Sequence, residues 1–194
     1  MLVIGNGESR KGIDLNKHFD TKIGCNAVHR DYHVDHLICV DRRMVQQAID
    51  ANVNETSIVY TRSDWIDSYK NKQKVKQVPK LPYNGKERWD EPFQWGSGPY
   101  AVLLSAKLCK GPTVRLIGFD LHSITNTVNN VYKGTSNYDP VDKNAVDPRY
   151  WIHQISTVFD WFPKLRFKIY QTQDWTLPES WKKHNVSLDS LDNL

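Results

Sequence analysis

The chain has 194 residues, 39% hydrophobic and 25% charged, with 7 Trp and 9 Tyr. That balance excludes a disordered or fibrous polypeptide and supplies enough apolar side chains for one domain, residues 1–194, with a substantial core. The net charge of +4, from 26 basic and 22 acidic residues, is too slight an imbalance to mark a nucleic-acid partner.

The cysteines, Cys25, Cys39 and Cys109, are odd in number and lack C-x-x-C spacing. Two of them fall inside apolar runs, so buried free thiols in a reducing compartment are expected. No apolar run approaches the roughly 18 residues of a membrane span, and the N-terminus enters a strand-like run without a basic lead. The expectation is a cytoplasmic protein with no transmembrane segment, and association into a homo-oligomer is left open.

In chain order, short runs rich in Val and Ile stand at Leu2–Ile4, Ile23–Cys25, His36–Val40, Ser57–Tyr60, Val114–Ile117 and Phe167–Tyr170. Runs of this kind suit strands buried on both faces. Helix-compatible stretches fall between several of them, at Arg42–Ala51, Pro99–Lys110 and Pro148–Phe162. The alternation predicts an α/β fold with a doubly wound, mainly parallel sheet. Lys70–Lys80, with Lys interleaved among Gln and Asn, reads as an exposed helix or loop. Segments 61–96 and 120–147 lack clear periodicity and read as lids over a site. Residues 171–194 read as an irregular tail.

In a doubly wound sheet the ligand crevice lies at the carboxyl ends of the strands. Gly5-Asn6-Gly7-Glu8-Ser9 follows the first strand directly. Its glycines allow a tight turn and close approach to a phosphate, and Asn6 and Ser9 offer short polar side chains. The next glycine, Gly12, is wrongly spaced for the dinucleotide fingerprint, and a plain glycine turn is the alternative. Asn26 ends the second strand and Asp41 the third, where Asp41 could hold a ribose hydroxyl or cap the following helix. Gly96-Ser97-Gly98-Pro99 opens the central helix, so its N–H groups suit an anion, with helix capping by Ser97 as the alternative. Asp120 and His122 follow another strand. His153 lies three residues after Tyr150 at the start of the last helix, and its titration range suits proton transfer. His29, His33 and His36 span a loop and a strand start without cysteine, so no metal site is read there.

Taken together, Gly5-Asn6-Gly7-x-Ser9, Cys25-Asn26, Gly96-Ser97-Gly98-x-Tyr100, Gly118-Phe119-Asp120 and Tyr150-x-x-His153 resemble the bacterial lipooligosaccharide sialyltransferases. The resemblance covers roughly residues 1–170 and implies a modified nucleotide-binding fold, a CMP-linked nucleotide-sugar donor, a glycan or other hydroxyl acceptor and no metal cofactor. It assigns Asn6 and Asn26 to the nucleotide, Tyr150 to the donor phosphate and His153 to the general base. The absence of an Asp-x-Asp pair agrees with metal independence. Two departures stand out. The family's arginine before the Ser-Gly helix start is replaced by Phe93-Gln94-Trp95, with Arg88 the nearest arginine, and its tyrosine after the strand-end Asp is replaced by Leu121-His122. The leading expectation is a metal-independent glycosyltransferase in which Tyr150, Ser97 and the helix N-terminus stabilise the departing phosphate. The rival is a nucleotide-binding or interaction protein without chemistry, which a His153 buried in the core would favour, whereas an accessible His153 facing the glycine loops would favour the enzyme.

Overall fold

The computed structural model describes residues 1–18, 20–82, 94–122 and 126–194. Eight strands form one sheet: β1 (Leu2–Ile4), β2 (Lys22–Cys25), β3 (His36–Ile38), β4 (Ile58–Thr61), β5 (Val75–Gln77), β6 (Thr113–Ile117), β7 (Arg166–Gln171) and β8 (Val186–Ser190). Every pairing is parallel, in the order β5-β4-β3-β2-β1-β6-β7-β8. The chain therefore winds outward from β1 in one direction through β2 to β5, and in the other through β6 to β8. The order reverses between β1 and β6, the place where doubly wound sheets open a ligand crevice.

Alternation along the central strands explains the two layers of helix. Val3 and Ile23 face one side, where they pack with α4 (Ser97–Leu108) and α5 (Arg149–Trp161). Leu2, Ile4 and Leu37 face the other, where α1 (Arg42–Asp50) contributes Met44, Val45, Ala48 and Ile49. A strand buried on both faces has no polar side to show, which is why these runs are apolar throughout. Two single turns of helix, α2 (Val53–Thr56) and α3 (Ser63–Ile66), flank β4. None of the helices among the described residues is long and apolar enough to cross a membrane.

Two expectations are corrected at the edges of the sheet. Val75–Gln77, inside the lysine-rich run read as exposed helix or loop, is edge strand β5. Residues 171–194 are not an irregular tail: Val186–Ser190 pairs with β7 as β8, and Trp181 is fully buried against Phe159 and Trp175. Of the segments read as lids, 61–96 contains α3 and β5, and its residues 83–93 lie outside the described residues. Residues 126–147 form no strand or helix beyond an isolated bridge between Thr127 and Asn144.

Cys25 and Cys39 are buried free thiols, and Cys109 is free and partly buried. Burial pushes the Cys25 thiol up to about 12 and that of Cys39 well above its ordinary value, so both side chains behave as small apolar groups.

Candidate functional site

At the β1/β6 reversal two loops touch backbone to backbone. The Gly5 N–H donates to the Ile117 carbonyl at 2.8 Å, and the Gly7 N–H to the Gly118 carbonyl at 2.8 Å. A methyl group at Gly5 would meet the Gly118 carbonyl oxygen at 2.2 Å, and one at Gly7 would meet the Asp120 carboxyl carbon at 2.4 Å. These glycines are thus demanded by loop-to-loop contact, whatever approaches from outside.

Asp120, 5% exposed, ties the glycine loop down. One carboxylate oxygen accepts from the Ser9 hydroxyl at 2.5 Å and from Gln171 Nε2 at 2.7 Å, and the other accepts from the Ser9 N–H at 2.8 Å. Ser9, expected at the nucleotide, therefore has its hydroxyl turned onto Asp120, and it does not line the crevice.

The crevice at this point has a volume of about 430 Å³. It brings together Asn6, Gly7, Asn26, Asp41, Ser97, Gly98 and Asp120, so the ends of β1, β2, β3 and β6 meet the start of α4 as the topology predicts. Ser97 is the first residue of α4 and does not cap it; Gly96 stands at the cap position. The Ser97 hydroxyl instead donates to Asn26 Oδ1 at 2.8 Å and accepts from the Val40 N–H at 3.1 Å, linking the ends of β2 and β3 to the start of α4. Asp41 stands at the N-cap of α1, yet its side chain makes no cap hydrogen bond, and its carboxylate lines the crevice.

Two backbone positions here are unusual. Asn26 has φ of 52°, which an asparagine tolerates, and Leu121 has φ of 69°, which a bulky side chain rarely adopts. Such strain costs about 1–3 kcal/mol and gathers where structure serves a ligand. Asn6 adds a second sign. Its Nδ2 donates to the Tyr138 hydroxyl at 3.0 Å, while its Oδ1 is buried and has no hydrogen-bond partner among the described residues. A buried polar atom left unpaired costs about 1–3 kcal/mol, which a ligand donor would recover.

A second cavity of about 460 Å³ adjoins the first, lined by Met44, Val128, Tyr138, Asp139 and Val146 among others. Its floor and roof come from α1 and from residues 126–147. That segment is held to the glycine loop through Asn129 Oδ1, which accepts from the Glu8 N–H at 2.8 Å, and through the Asn6 carbonyl, which accepts from the Val131 N–H at 2.8 Å. Beneath it the buried Arg10 donates to the Gly5 carbonyl at 2.9 Å and the Tyr132 hydroxyl at 2.7 Å, and pairs with Asp31 at 3.3 Å.

Tyr150 and His153 are placed differently from expectation. Both are half-buried on α5, but among the described residues the crevice is lined from that helix by Trp151 and Ile155. His153 stands about 200° around the helix from Trp151, so the face that addresses the crevice cannot also carry it. His122 is exposed and lines neither cavity. Arg88 and Phe93 lie outside the described residues.

The lining residues not singled out from sequence include Arg62, Asn129, Asn130, Trp151 and Ile155. Trp151 was legible in principle, because Trp151 and Ile155 share one helical stripe. Arg62 follows β4, and its guanidinium pairs with Asp64 at 2.5 Å. Two histidines of the first half, His29 and His36, use their rings locally. His29 Nδ1 lies 3.1 Å from the Asn26 carbonyl and His36 Nδ1 lies 3.2 Å from the Tyr60 hydroxyl.

Comparison with family models, with curated proteins and with solved structures returns no match.

Proposed function

We propose that the crevice binds a nucleotide sugar with a CMP-type carrier, and that the protein is a metal-independent, sialyltransferase-like glycosyltransferase. The observation that carries this reading is the meeting of Asn6, Asn26 and the N-terminus of α4 at the β1/β6 reversal, with one atom of the Asn6 amide buried and unpaired among the described residues. Carboxamides recognise a base or ribose by paired donor and acceptor, and the N–H groups of Ser97 and Gly98 at a helix start suit the phosphate. In this arrangement Asn6 and Asn26 address the nucleoside, and the helix end addresses the charge that grows on the phosphate as it leaves. Tyr150 and His153 line neither cavity, so neither is given a role at the reacting atoms.

That same placement favours a second reading, a nucleotide-binding protein without chemistry.

Thermal unfolding in the presence of CMP, UDP, GDP and CMP-sialic acid tests the nucleotide site. CMP and CMP-sialic acid are expected to raise the midpoint, by the equivalent of about 2.7 kcal/mol at one hundred times Kd, equally with EDTA or magnesium. No rise with any of the four removes the nucleotide reading. A rise that EDTA abolishes and magnesium restores removes metal independence. Consumption of CMP-sialic acid separates the enzyme from the binding protein.

A further inference from the structure

Resting on the transferase reading above, the geometry points to the second cavity as the acceptor site, for a sugar hydroxyl, and to Asp41 as the base that deprotonates it. The argument begins from the wall that the two cavities share. Asn26, Asp41, Leu121, Asn129, Asn130 and Trp151 line both. Transfer between two bound molecules needs the reacting atoms to meet, and where two chambers adjoin they meet at the common wall. Among these six residues, Asp41 alone has a side chain that gains and loses a proton.

Its surroundings fit the task. The Asp41 side chain makes no hydrogen bond to the helix it precedes, and it is solvent-exposed at the junction. Of the left-handed residues around the two cavities, Asn26 and Leu121 belong to the shared wall, while Gly118 lines only the first cavity and Asn137 only the second. The left-handed backbone at Leu121, which a bulky side chain rarely adopts, is the kind of strain expected where a structure must hold reacting groups in one geometry.

The chemistry of the second cavity selects the acceptor class. Trp151 presents an indole, Met44, Val128 and Val146 present apolar surface, and Asp41 and Asp139 present carboxylates. A sugar matches this mixture, because its C–H face lies on apolar and aromatic surface while its hydroxyls reach polar groups. In the step itself, the Asp41 carboxylate takes the proton of the acceptor hydroxyl as that oxygen forms a bond to the anomeric carbon of the donor. The bond from that carbon to the phosphate oxygen breaks, and its electron pair leaves with the nucleotide phosphate at the start of α4.

The test measures CMP binding by calorimetry and CMP release from CMP-sialic acid, alone and with lactose. Asp41→Asn is expected to keep CMP affinity within about threefold and to lower turnover by about 10²–10⁴-fold, the range for loss of a general base. Val146→Arg, at a residue that lines the second cavity and not the first, is expected to raise the KM for lactose about tenfold or more. Asp41→Asn with turnover within threefold of the unaltered protein overturns the base assignment while the nucleotide reading stands. An unchanged lactose KM in Val146→Arg overturns the acceptor site. If CMP binds and none is released from CMP-sialic acid, the transfer reading fails and Asp41 with it; if CMP does not bind, the nucleotide reading has failed first.

Discussion

The two walls of the crevice are held by different physics. On one side, the loops after β1 and β6 are locked by backbone hydrogen bonds between Gly5, Gly7, Ile117 and Gly118, and by the Asp120 carboxylate gripping Ser9 and Gln171. On the other, residues 126–147 form no regular ladder: a backbone bond from the Val131 N–H to the Asn6 carbonyl ties them to the glycine loop, and side chains supply the rest, Asn129 on Glu8, Tyr138 on Asn6, and the Arg10 and Arg30 guanidiniums stacked on Tyr132. The first wall inherits the rigidity of the sheet, whereas the second is assembled largely from side-chain contacts that single substitutions can remove. A nucleotide held by the first wall and an acceptor held by the second would therefore respond to mutation in separable ways.

The largest effect is expected from Asp120→Ala. It leaves the Ser9 N–H and the Gln171 amide without their acceptor in a buried setting, a loss of about 3 kcal/mol. For a chain of this size the thermal midpoint should fall by about 6–12 °C. A fall of under about 2 °C would show that the first wall does not depend on its carboxylate.

A smaller effect is expected from Tyr138→Phe, which removes the hydroxyl that receives Asn6 Nδ2 at 3.0 Å and the Ala27 N–H at 3.4 Å. Stability should drop by about 1 kcal/mol. CMP affinity should weaken about fivefold as the Asn6 amide loses its orientation, since about 1 kcal/mol corresponds to that factor. Calorimetry with CMP decides between a positioning role and a purely structural one, because the latter would leave affinity unchanged.

The smallest effect is a pH dependence away from both walls. Burial holds His29 and His36 below their ordinary value of 6.5. The unfolded chain then binds protons that the folded chain refuses, so stability is full above about 6.5, falls as pH drops through that value, and stops falling below the folded values. The thermal midpoint should decline between about pH 7.5 and pH 5.5, with a shallower slope in His36→Gln. Identical slopes in the two proteins would remove His36 from the account.

The parts of this molecule that were legible in its sequence are those whose direction the backbone decides. Six apolar runs became strands, and once they are parallel, Asn6, Asn26, Asp41 and Asp120 must emerge at one edge. The edge strands escaped because half of each is solvated. Val75 is followed by exposed Lys76 and Gln77, and Val186 by exposed Ser187 and Leu188, so neither run looks buried. Helix α5 was located correctly, but which of its stripes meets the crevice depends on how it packs against α4 and β7. Tyr150-x-x-His153 does share a face; the crevice is met by Trp151 and Ile155 instead. Ser9 illustrates a third case, in which a residue at the expected place turns its polar group inward to a partner distant in the chain.

The central position of β1 bears on how the chain is made. Leu2–Ile4 precedes the other seven strands of this sheet in the chain, and its first neighbour, β2, follows within about twenty residues. Its other neighbour, Thr113–Ile117, is synthesised much later, on the order of ten seconds at ordinary elongation rates. Until then any pairing among β1 to β5 leaves the β6-facing backbone edge of Leu2-Val3-Ile4 without its partner, and such an unpaired edge flanked by apolar side chains is suited to annealing with another nascent chain. Nascent-chain yield should therefore depend on chaperone supply more than the finished protein's stability would suggest, and the crevice itself cannot exist until β6 closes that edge.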